Sequence, residues 1–173
     1  MQLTYRKLKP NETVLYRQLR LESLKKYPDN FGSNYEEQKS KTKLGFETYI
    51  EQESIDKFIM GAFDNDQLIS ICGFYRQQDR RSSHRGEIIQ MYVQPAYQGK
   101  NIGRTILQKT IETVFEIKGV EQIELGVFSN SKAALKVYNK AGFKEYGLHK
   151  NCLKSDSGYI DLSLMVLYRD SKL

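Results

Sequence analysis

The chain has 173 residues, of which 39% are hydrophobic and 28% charged, and its formal net charge is +6. This is typical of one globular domain, and no stretch approaches the roughly 20 apolar residues of a membrane-spanning helix. The basic residues are scattered rather than gathered in a tail, so the charge by itself gives little support for nucleic-acid binding. From the length we expect a single domain over residues 1–173, without a membrane span. Because the first residues also lack a secretory signal, we expect the protein in the cytoplasm.

The first half of the chain alternates between strand-like and helix-like patterns. Residues 3–8 alternate as a strand does, and residues 12–27 form an amphipathic helix pattern. A second, more polar helix is predicted over residues 35–52. Two apolar runs, 58–63 and 68–75, are separated by Asp-Asn-Asp and indicate a β-hairpin. The apolar stripe of the first helix consists of Leu15, Leu19, Leu21 and Leu24.

The second half continues the alternation. A strand at 88–93 stops before Pro95, a helix over 103–118 is closed by Gly119, and a strand follows at 123–127. The next helix begins with Asn130 or Ser129 as its cap and ends at Gly142, and strands at 143–149 and 159–168 flank a polar turn at 155–158. The order β-α-α-β-β-β-α-β-α-β-β predicts a mixed α/β (α+β) fold, with a mostly antiparallel sheet flanked by helices.

The two cysteines do not indicate a metal site. Cys72 and Cys152 follow no metal-ligand spacing, and Cys72 lies in an apolar run where it would act as a small hydrophobic residue. We therefore expect two reduced, unpaired thiols and no bound metal.

The segment that connects the strand at 88–93 to the next helix has the properties of a phosphate-binding loop. Its residues 98–104 read Gln-Gly-Lys-Asn-Ile-Gly-Arg. Glycines allow tight turns and close approach, and a helix start offers unpaired N–H groups with partial positive charge. Lys100 and Arg104 add full charges, although two glycines alone also suit a plain strand-to-helix turn. The sequence has neither the Gly-Lys-Ser/Thr end of a P-loop nor the acidic residue that a dinucleotide fold requires.

Two motifs resemble those of a known family. Residues 93–107, Val-Gln-Pro-Ala-Tyr-Gln-Gly-Lys-Asn-Ile-Gly-Arg-Thr-Ile-Leu, closely resemble the cofactor motif of GNAT acetyltransferases, Gln/Arg-x-x-Gly-x-Gly/Ala. Asn101 stands where the family has its middle glycine, but asparagine tolerates a left-handed backbone. The second resemblance, to the later asparagine-helix-Gly-Phe signature, consists of Asn130, Ala134, Tyr138, Ala141, Gly142 and Phe143.

The resemblance implies a GNAT-like fold with acetyl-CoA as cosubstrate. Backbone groups of Met91 and Val93 would pair with the pantetheine arm, where the strand at 125–127 splays away. Asn130 would contact the arm from the far side, or only cap its helix. The pyrophosphate would be held by the amides of Gln98, Gly99, Lys100, Asn101, Ile102, Gly103 and Arg104.

The resemblance also implies catalytic roles. Tyr138 matches the general acid that protonates the leaving thiolate, and Glu87 matches a glutamate that deprotonates the amine directly or through water. A backbone N–H near Val93 would stabilise the oxyanion. The alternatives are that Tyr138 is a core aromatic residue, that Glu87 is a solvated surface group, and that His84 serves as the base.

The function implied is transfer of acetyl from acetyl-CoA to a primary amine of a small molecule, peptide or protein, by direct attack in a ternary complex. The alternatives are a non-catalytic acyl-CoA-binding module and, on charge alone, a nucleic-acid binder. In the family, the link at 27–33 overhangs the acceptor site. Nearby, Asp29, Glu36 and Glu37 would attract a cationic amine or merely favour a helix dipole. The acceptor, the acyl chain length and the choice between monomer and homodimer stay open.

Overall fold

Seven strands form one sheet in the computed structural model, which describes residues 1–156 and 158–169. The order across the sheet is β1-β2-β3-β4-β5-β7-β6. Every neighbouring pair is antiparallel except β4 and β5, which confirms the predicted mixed, mostly antiparallel sheet. The strands are β1 (Leu3–Lys7), β2 (Lys57–Asp64), β3 (Gln67–Arg76), β4 (Arg85–Val93), β5 (Gln122–Phe128), β6 (Lys144–Ser155) and β7 (Gly158–Tyr168).

Five α-helices are present in the described ranges: α1 (Thr13–Lys26), α2 (Tyr35–Ser40), α3 (Glu47–Glu51), α4 (Ile102–Glu116) and α5 (Lys132–Lys140). The single helix predicted over residues 35–52 is wrong, because the chain becomes extended at Lys41 (φ −71°, ψ 138°) and two short helices result. This break lets Leu44 and Phe46 enter the core, where they are 2% and 8% exposed. Among the helices described, none is both long and apolar enough to cross a membrane.

Each face of the sheet carries a hydrophobic core. One core packs α4 and α5 against the sheet and includes Ile106 and Tyr138, whereas the other packs α1 and α3 and includes Leu19 and Ile50. Since successive residues of a strand point to opposite faces, β2 supplies side chains to both cores and is apolar from Phe58 to Phe63.

Helix α1 turns a partly polar face toward the sheet. The predicted leucine stripe is wrong in part, because Leu15 and Leu21 are only half-buried. The reason is that the contact face also includes the polar residues Arg20 and Ser23, which lie four and seven positions after Tyr16 and so on the same side of the helix. The buried residues of α1 are Tyr16, Leu19, Arg20, Ser23 and Leu24.

The start of α5 also differs from the prediction. The N-cap residue is Ser131, so the predicted cap at Asn130 or Ser129 is wrong by one or two positions. The side chain of Asn130 instead donates to the backbone carbonyl of Asp29 at 3.3 Å, which ties the β5–α5 link to the α1–α2 link. The predicted turn at 155–158 includes residue 157, which lies outside the described residues.

The pairing of β4 with β5 is short, and this opens the middle of the sheet. Their parallel ladder ends at Glu87 and Glu124 after three pairs. Beyond it, β4 stays paired with β3 as far as Val93, and β5 stays paired with β7 as far as Phe128. The two central strands therefore separate, as the resemblance implied, and leave a gap between them.

Candidate active site

The gap between β4 and β5 leads into a cleft of about 950 Å³. Residues 87–93 of β4 and 126–128 of β5 form its two sides. The 98–104 loop and residues of α5 close it on one face of the sheet, and Arg20, Tyr27 and Phe31 close it on the other. A cleft of this size, lined by apolar side chains with a few polar groups, is typical of a small-molecule or cofactor site.

A β-bulge shapes the β4 side of the cleft. Ile89 pairs with Gly73 and Tyr92 pairs with Ile71, so Gln90 and Met91 both lie opposite Cys72. Gln90 has a positive φ of 56°, and its side-chain oxygen accepts a hydrogen bond from the Tyr16 hydroxyl at 2.8 Å. The bulge interrupts the ladder next to Met91, one of the two residues expected to pair with a pantetheine arm.

The loop before α4 turns through two left-handed residues. Gly99 and Asn101 have φ values of 76° and 62°, so Asn101 adopts the conformation for which the family uses glycine. The first hydrogen bond of the helix runs from the amide of Thr105 to the carbonyl of Asn101 at 3.0 Å. Within residues 1–156 and 158–169, no group accepts from the amides of Ile102, Gly103 and Arg104.

Gly103 brings this helix start close to β4. A Cβ atom there would lie 3.3 Å from Met91 Cε and 3.4 Å from Val93 Cγ2, which is tight contact. The backbone of α4 is therefore adjacent to the side of β4 that lines the cleft.

The charged and polar side chains of the loop take different positions. Arg104 lines the cleft, whereas Lys100 does not, and its ammonium lies 5.2 Å from the centre of the Tyr97 ring. Gln98 donates from Nε2 to the carbonyl of Val93 at 3.0 Å. That bond occupies one of the two backbone groups of Val93 and joins the loop to the end of β4.

Tyr138 is both a core residue and a cleft residue. Its side chain is 7% exposed and packs edge-on against Phe143, with ring centres 6.0 Å apart. It also lines the cleft, and its hydroxyl has no hydrogen-bond partner among the described residues. Burial, and to a smaller extent the nearby Cys72 thiol, raises the pKa of Tyr138 above that of an ordinary phenol, so the hydroxyl is protonated at neutral pH.

Glu87 is a half-buried carboxylate at the point where β4 and β5 separate. Burial raises its pKa above the ordinary glutamate value, Glu124 adds to this, and a hydrogen bond from the Tyr75 hydroxyl opposes it. The neighbouring Glu124 is ion-paired with Arg85 at 3.0 Å, so Glu87 is the less compensated of the two acids. A carboxylate with a raised pKa inside a cleft is suited to accept a proton.

The alternative base and the acids near the acceptor side are placed elsewhere. His84 does not line the cleft, and its backbone carbonyl instead accepts from the amides of Glu121 and Gln122 at the start of β5. Asp29, Glu36 and Glu37 also lie outside the cleft lining. The last two occupy the first turn of α2, where their charges suit the helix dipole.

Three residues of the site were not identified from the sequence. Tyr75 faces Glu87 across the β3–β4 ladder, and such a pair requires the strand register to be known. Gln90 lies in the bulge, which no local sequence pattern predicts. Arg20 lies on the sheet-facing side of α1. Its spacing from Tyr16 and Ser23 would have indicated a shared buried face, but the leucine pattern led to a different face being predicted.

Comparisons with known proteins agree on one family. The profile of the acetyltransferase (GNAT) family matches residues 18–143. Spermidine N(1)-acetyltransferase of Thermoplasma acidophilum is 32% identical over 108 residues, 62% of this chain and 63% of that protein. The ribosomal protein bS18 alanine N-acetyltransferase of Escherichia coli is 32% identical over 75 residues, 43% of this chain and 50% of that protein. The chain thus spans less than two-thirds of the length of these curated relatives.

Solved structures share the fold. A GNAT-family acetyltransferase from Streptococcus pneumoniae superposes with a TM-score of 0.85 at 22% identity, covering 96% of this chain and 99% of that one. The protein yncA from Salmonella typhimurium, solved with its cofactor acetyl-CoA, superposes with a TM-score of 0.81 at 15% identity. That match covers 100% of this chain and 97% of yncA. At these identities the likeness shows the fold alone.

Proposed function

Because the chain belongs to the GNAT acetyltransferase family, we propose that it transfers the acetyl group of acetyl-CoA to an amine of a small molecule or peptide. The observation that carries this proposal is the row of unpaired amides at the start of α4, beside a cleft that also contains a carboxylate and a free phenol. Bound acetyl-CoA supplies an acyl group activated as a thioester. The chain itself supplies binding, orientation and proton transfer.

The residues present fit the cosubstrate at its phosphate end. The amides of Ile102, Gly103 and Arg104 offer hydrogen bonds and a partial positive charge to a pyrophosphate, together with the loop amides of residues 99–101. The role predicted for the Gln98 amide is wrong, because that amide donates to the Pro95 carbonyl at 3.2 Å. Arg104 adds a full charge beside them. Lys100, packed on Tyr97, contributes positive charge from outside the cleft.

The diverging strands suit the pantetheine arm. We assign backbone groups of Met91 and Val93 to one side of the arm; at Val93 the amide remains for this role because the carbonyl is bonded to Gln98. Asn130 lines the opposite side. Its side-chain nitrogen donates to the Asp29 carbonyl and its oxygen accepts from the Ser131 hydroxyl at 3.4 Å, so one N–H and one lone pair remain for the arm.

Two side chains of this chain carry the protons. Glu87 accepts a proton from the ammonium form of the acceptor, because only a neutral amine has the lone pair that attacks a carbonyl carbon. The backbone N–H groups near the bulge and Val93 stabilise the developing negative charge on the carbonyl oxygen. Tyr138 then donates its proton to the thiolate sulfur as the C–S bond breaks, and its raised pKa ensures that the proton is present.

A screen of acceptors with a thiol-release readout tests the proposal. Spermidine and alanine-terminal peptides belong in the panel because relatives are named for them, and amino acids and aminoglycosides extend it. We expect release of free coenzyme A with at least one amine, and near-complete loss of release in a Glu87→Gln/Tyr138→Phe double variant. Binding of acetyl-CoA without release for any amine would favour the non-catalytic acyl-CoA-binding module instead.

A further inference from the structure

Arg20 is a buried charge inside the cleft that the proposed reaction does not use. Its side chain is 5% exposed, yet the residue lines the cleft on the face opposite α4. The guanidinium lies 4.8 Å from the centre of the Phe31 ring and makes one long contact of 3.5 Å to Ser23 Oγ. A guanidinium has five N–H donors, so most of its hydrogen-bonding capacity is not used by the described residues.

Arg20 differs from the other buried or half-buried arginines in having no acid. On the same helix, Arg17 is ion-paired with Glu47 at 2.8 Å, and Arg6 and Arg85 are also ion-paired. Among the described residues, no carboxylate lies within ion-pair distance of Arg20. Burial lowers the pKa of Arg20 to about 10, and its charge is retained at neutral pH. An uncompensated buried charge is costly, which points to a partner that arrives with the ligand.

The neighbours of Arg20 place it beside the β4 bulge. One helical turn earlier, Tyr16 bonds to Gln90, and two residues later Glu22 accepts from the Tyr92 hydroxyl at 2.8 Å. Arg20 lies between these two contacts on α1 and lines the same cleft as residues 87–93 of β4. Glu22 is held by Tyr92, Gln94 and Lys26, so its carboxylate is not the partner of Arg20.

We propose that Arg20 binds an anionic group of the acceptor, so that the substrate is an amine that also carries a carboxylate or a phosphate. This inference rests on the proposed function. The anion is held by the guanidinium on the α1 face, while the amine faces Glu87. In the transfer, the amine nitrogen forms a bond to the acetyl carbon and the C–S bond breaks. The ammonium gives one proton to Glu87 before the attack. As the intermediate collapses, the thiolate takes its proton from Tyr138, and the second proton that nitrogen loses on forming the amide returns the tyrosinate to its neutral form, directly or through water.

Matched pairs of acceptors test this assignment. L-Alanine is compared with L-alaninamide and phosphoethanolamine with ethanolamine, which separates carboxylate from phosphate recognition. At fixed acetyl-CoA, we expect the anionic member of at least one pair to have the higher kcat/KM. In Arg20→Gln, we expect that value to fall by about 10- to 100-fold, the range for losing hydrogen bonds to a charged group, with the neutral member and the KM for acetyl-CoA almost unchanged.

Two further variants make the result specific. Arg20→Lys keeps the positive charge but loses the planar guanidinium, so we expect it to retain part of the preference for the anionic amine. The same variant serves as the test if Arg20→Gln folds poorly. Lys25→Gln removes an exposed charge from the same helix and is expected to leave the preference intact. Equal use of anionic and neutral amines would overturn the proposal. A rise in the KM for acetyl-CoA in Arg20→Gln would also overturn it, because Arg20 would then belong to the cosubstrate site.

A binding measurement separates failure of this inference from failure of the proposed function. N-Acetylalanine and N-acetylalaninamide are product analogues whose binding, followed by calorimetry or NMR, requires no catalysis. If no amine releases coenzyme A, the acetyltransferase proposal fails, but tighter binding of the acid in the wild type and loss of that preference in Arg20→Gln would still support the anion site. Equal binding of acid and amide would overturn it.

Discussion

Tyr138 combines the two properties that a general acid for the thiolate requires, a free hydroxyl in the cleft and a pKa raised by burial. Tyr138→Phe keeps the ring in the core and removes only the hydroxyl. We expect kcat to fall by about 10²- to 10⁴-fold, the usual contribution of acid–base catalysis, with little change in acetyl-CoA affinity. Steady-state thiol release and equilibrium binding measure the two quantities. An equal loss in both would make Tyr138 a structural residue.

The hydrogen bond from Tyr75 to Glu87 tunes the proposed base. Glu87 must be ionised to accept a proton, so kcat/KM should fall as the pH drops through its pKa. Burial raises that pKa and the Tyr75 bond lowers it. Removing the hydroxyl in Tyr75→Phe should therefore raise the pKa further and move the acid limb of the pH profile to higher pH. Glu87→Gln should abolish the limb together with most of the activity, and an unmoved limb in Tyr75→Phe would exclude Glu87 as the titrating group.

At the scale of elements, the start of α4 depends on a left-handed residue. Asn101 has a φ of 62°, which asparagine and glycine tolerate but a β-branched residue does not. Asn101→Val should strain or displace the loop at a cost of about 1–3 kcal/mol and raise the KM for acetyl-CoA at least several-fold. Asn101→Gly is the matched control and should bind acetyl-CoA as the wild type does. If both variants bind equally well, the loop does not hold the pyrophosphate.

Two helix boundaries differ from those that local sequence patterns predict. The segment at 41–46 is polar enough for a surface helix, but burial of Leu44 and Phe46 outweighs the weak helix propensity and splits the element in two. Helix α5 begins after Ser131, which makes no side-chain cap bond, and the side chain of Asn130 contacts the α1–α2 link instead of capping the helix. In both places a tertiary contact overrides a local preference.

At the scale of the whole molecule, the two cores share one sheet and should unfold together. Because β2 contributes to both cores, loss of either should remove support from the other. We expect coincident thermal or urea transitions by far-UV circular dichroism and by fluorescence of the 12 tyrosines. Ile106→Ala, which leaves a cavity between α4 and the sheet, should lower the free energy of unfolding by about 2–5 kcal/mol, as measured by either signal. Two separate transitions would contradict the expected single domain.

The sequence by itself determined the order of elements, the mixed sheet and the loop at 98–104. These features depend on hydrophobic periodicity, glycine positions and helix termini, which act between residues close together in the chain. The candidate residues Glu87, Asn130, Tyr138 and Arg104 were likewise found through local motifs, and the structure brings them into one cleft.

Only the tertiary structure decided how that cleft is built. Strand register and the packing of α1 on the sheet decide the pairing of Tyr75 with Glu87, the bulge at Gln90, the exclusion of His84 and the burial of Arg20. Such contacts join residues far apart in the chain; Tyr16 and Gln90, for example, are 74 positions apart. These contacts are stabilised by burial and hydrogen bonding that exist only once the sheet has formed. They therefore cannot be predicted from any short stretch of sequence.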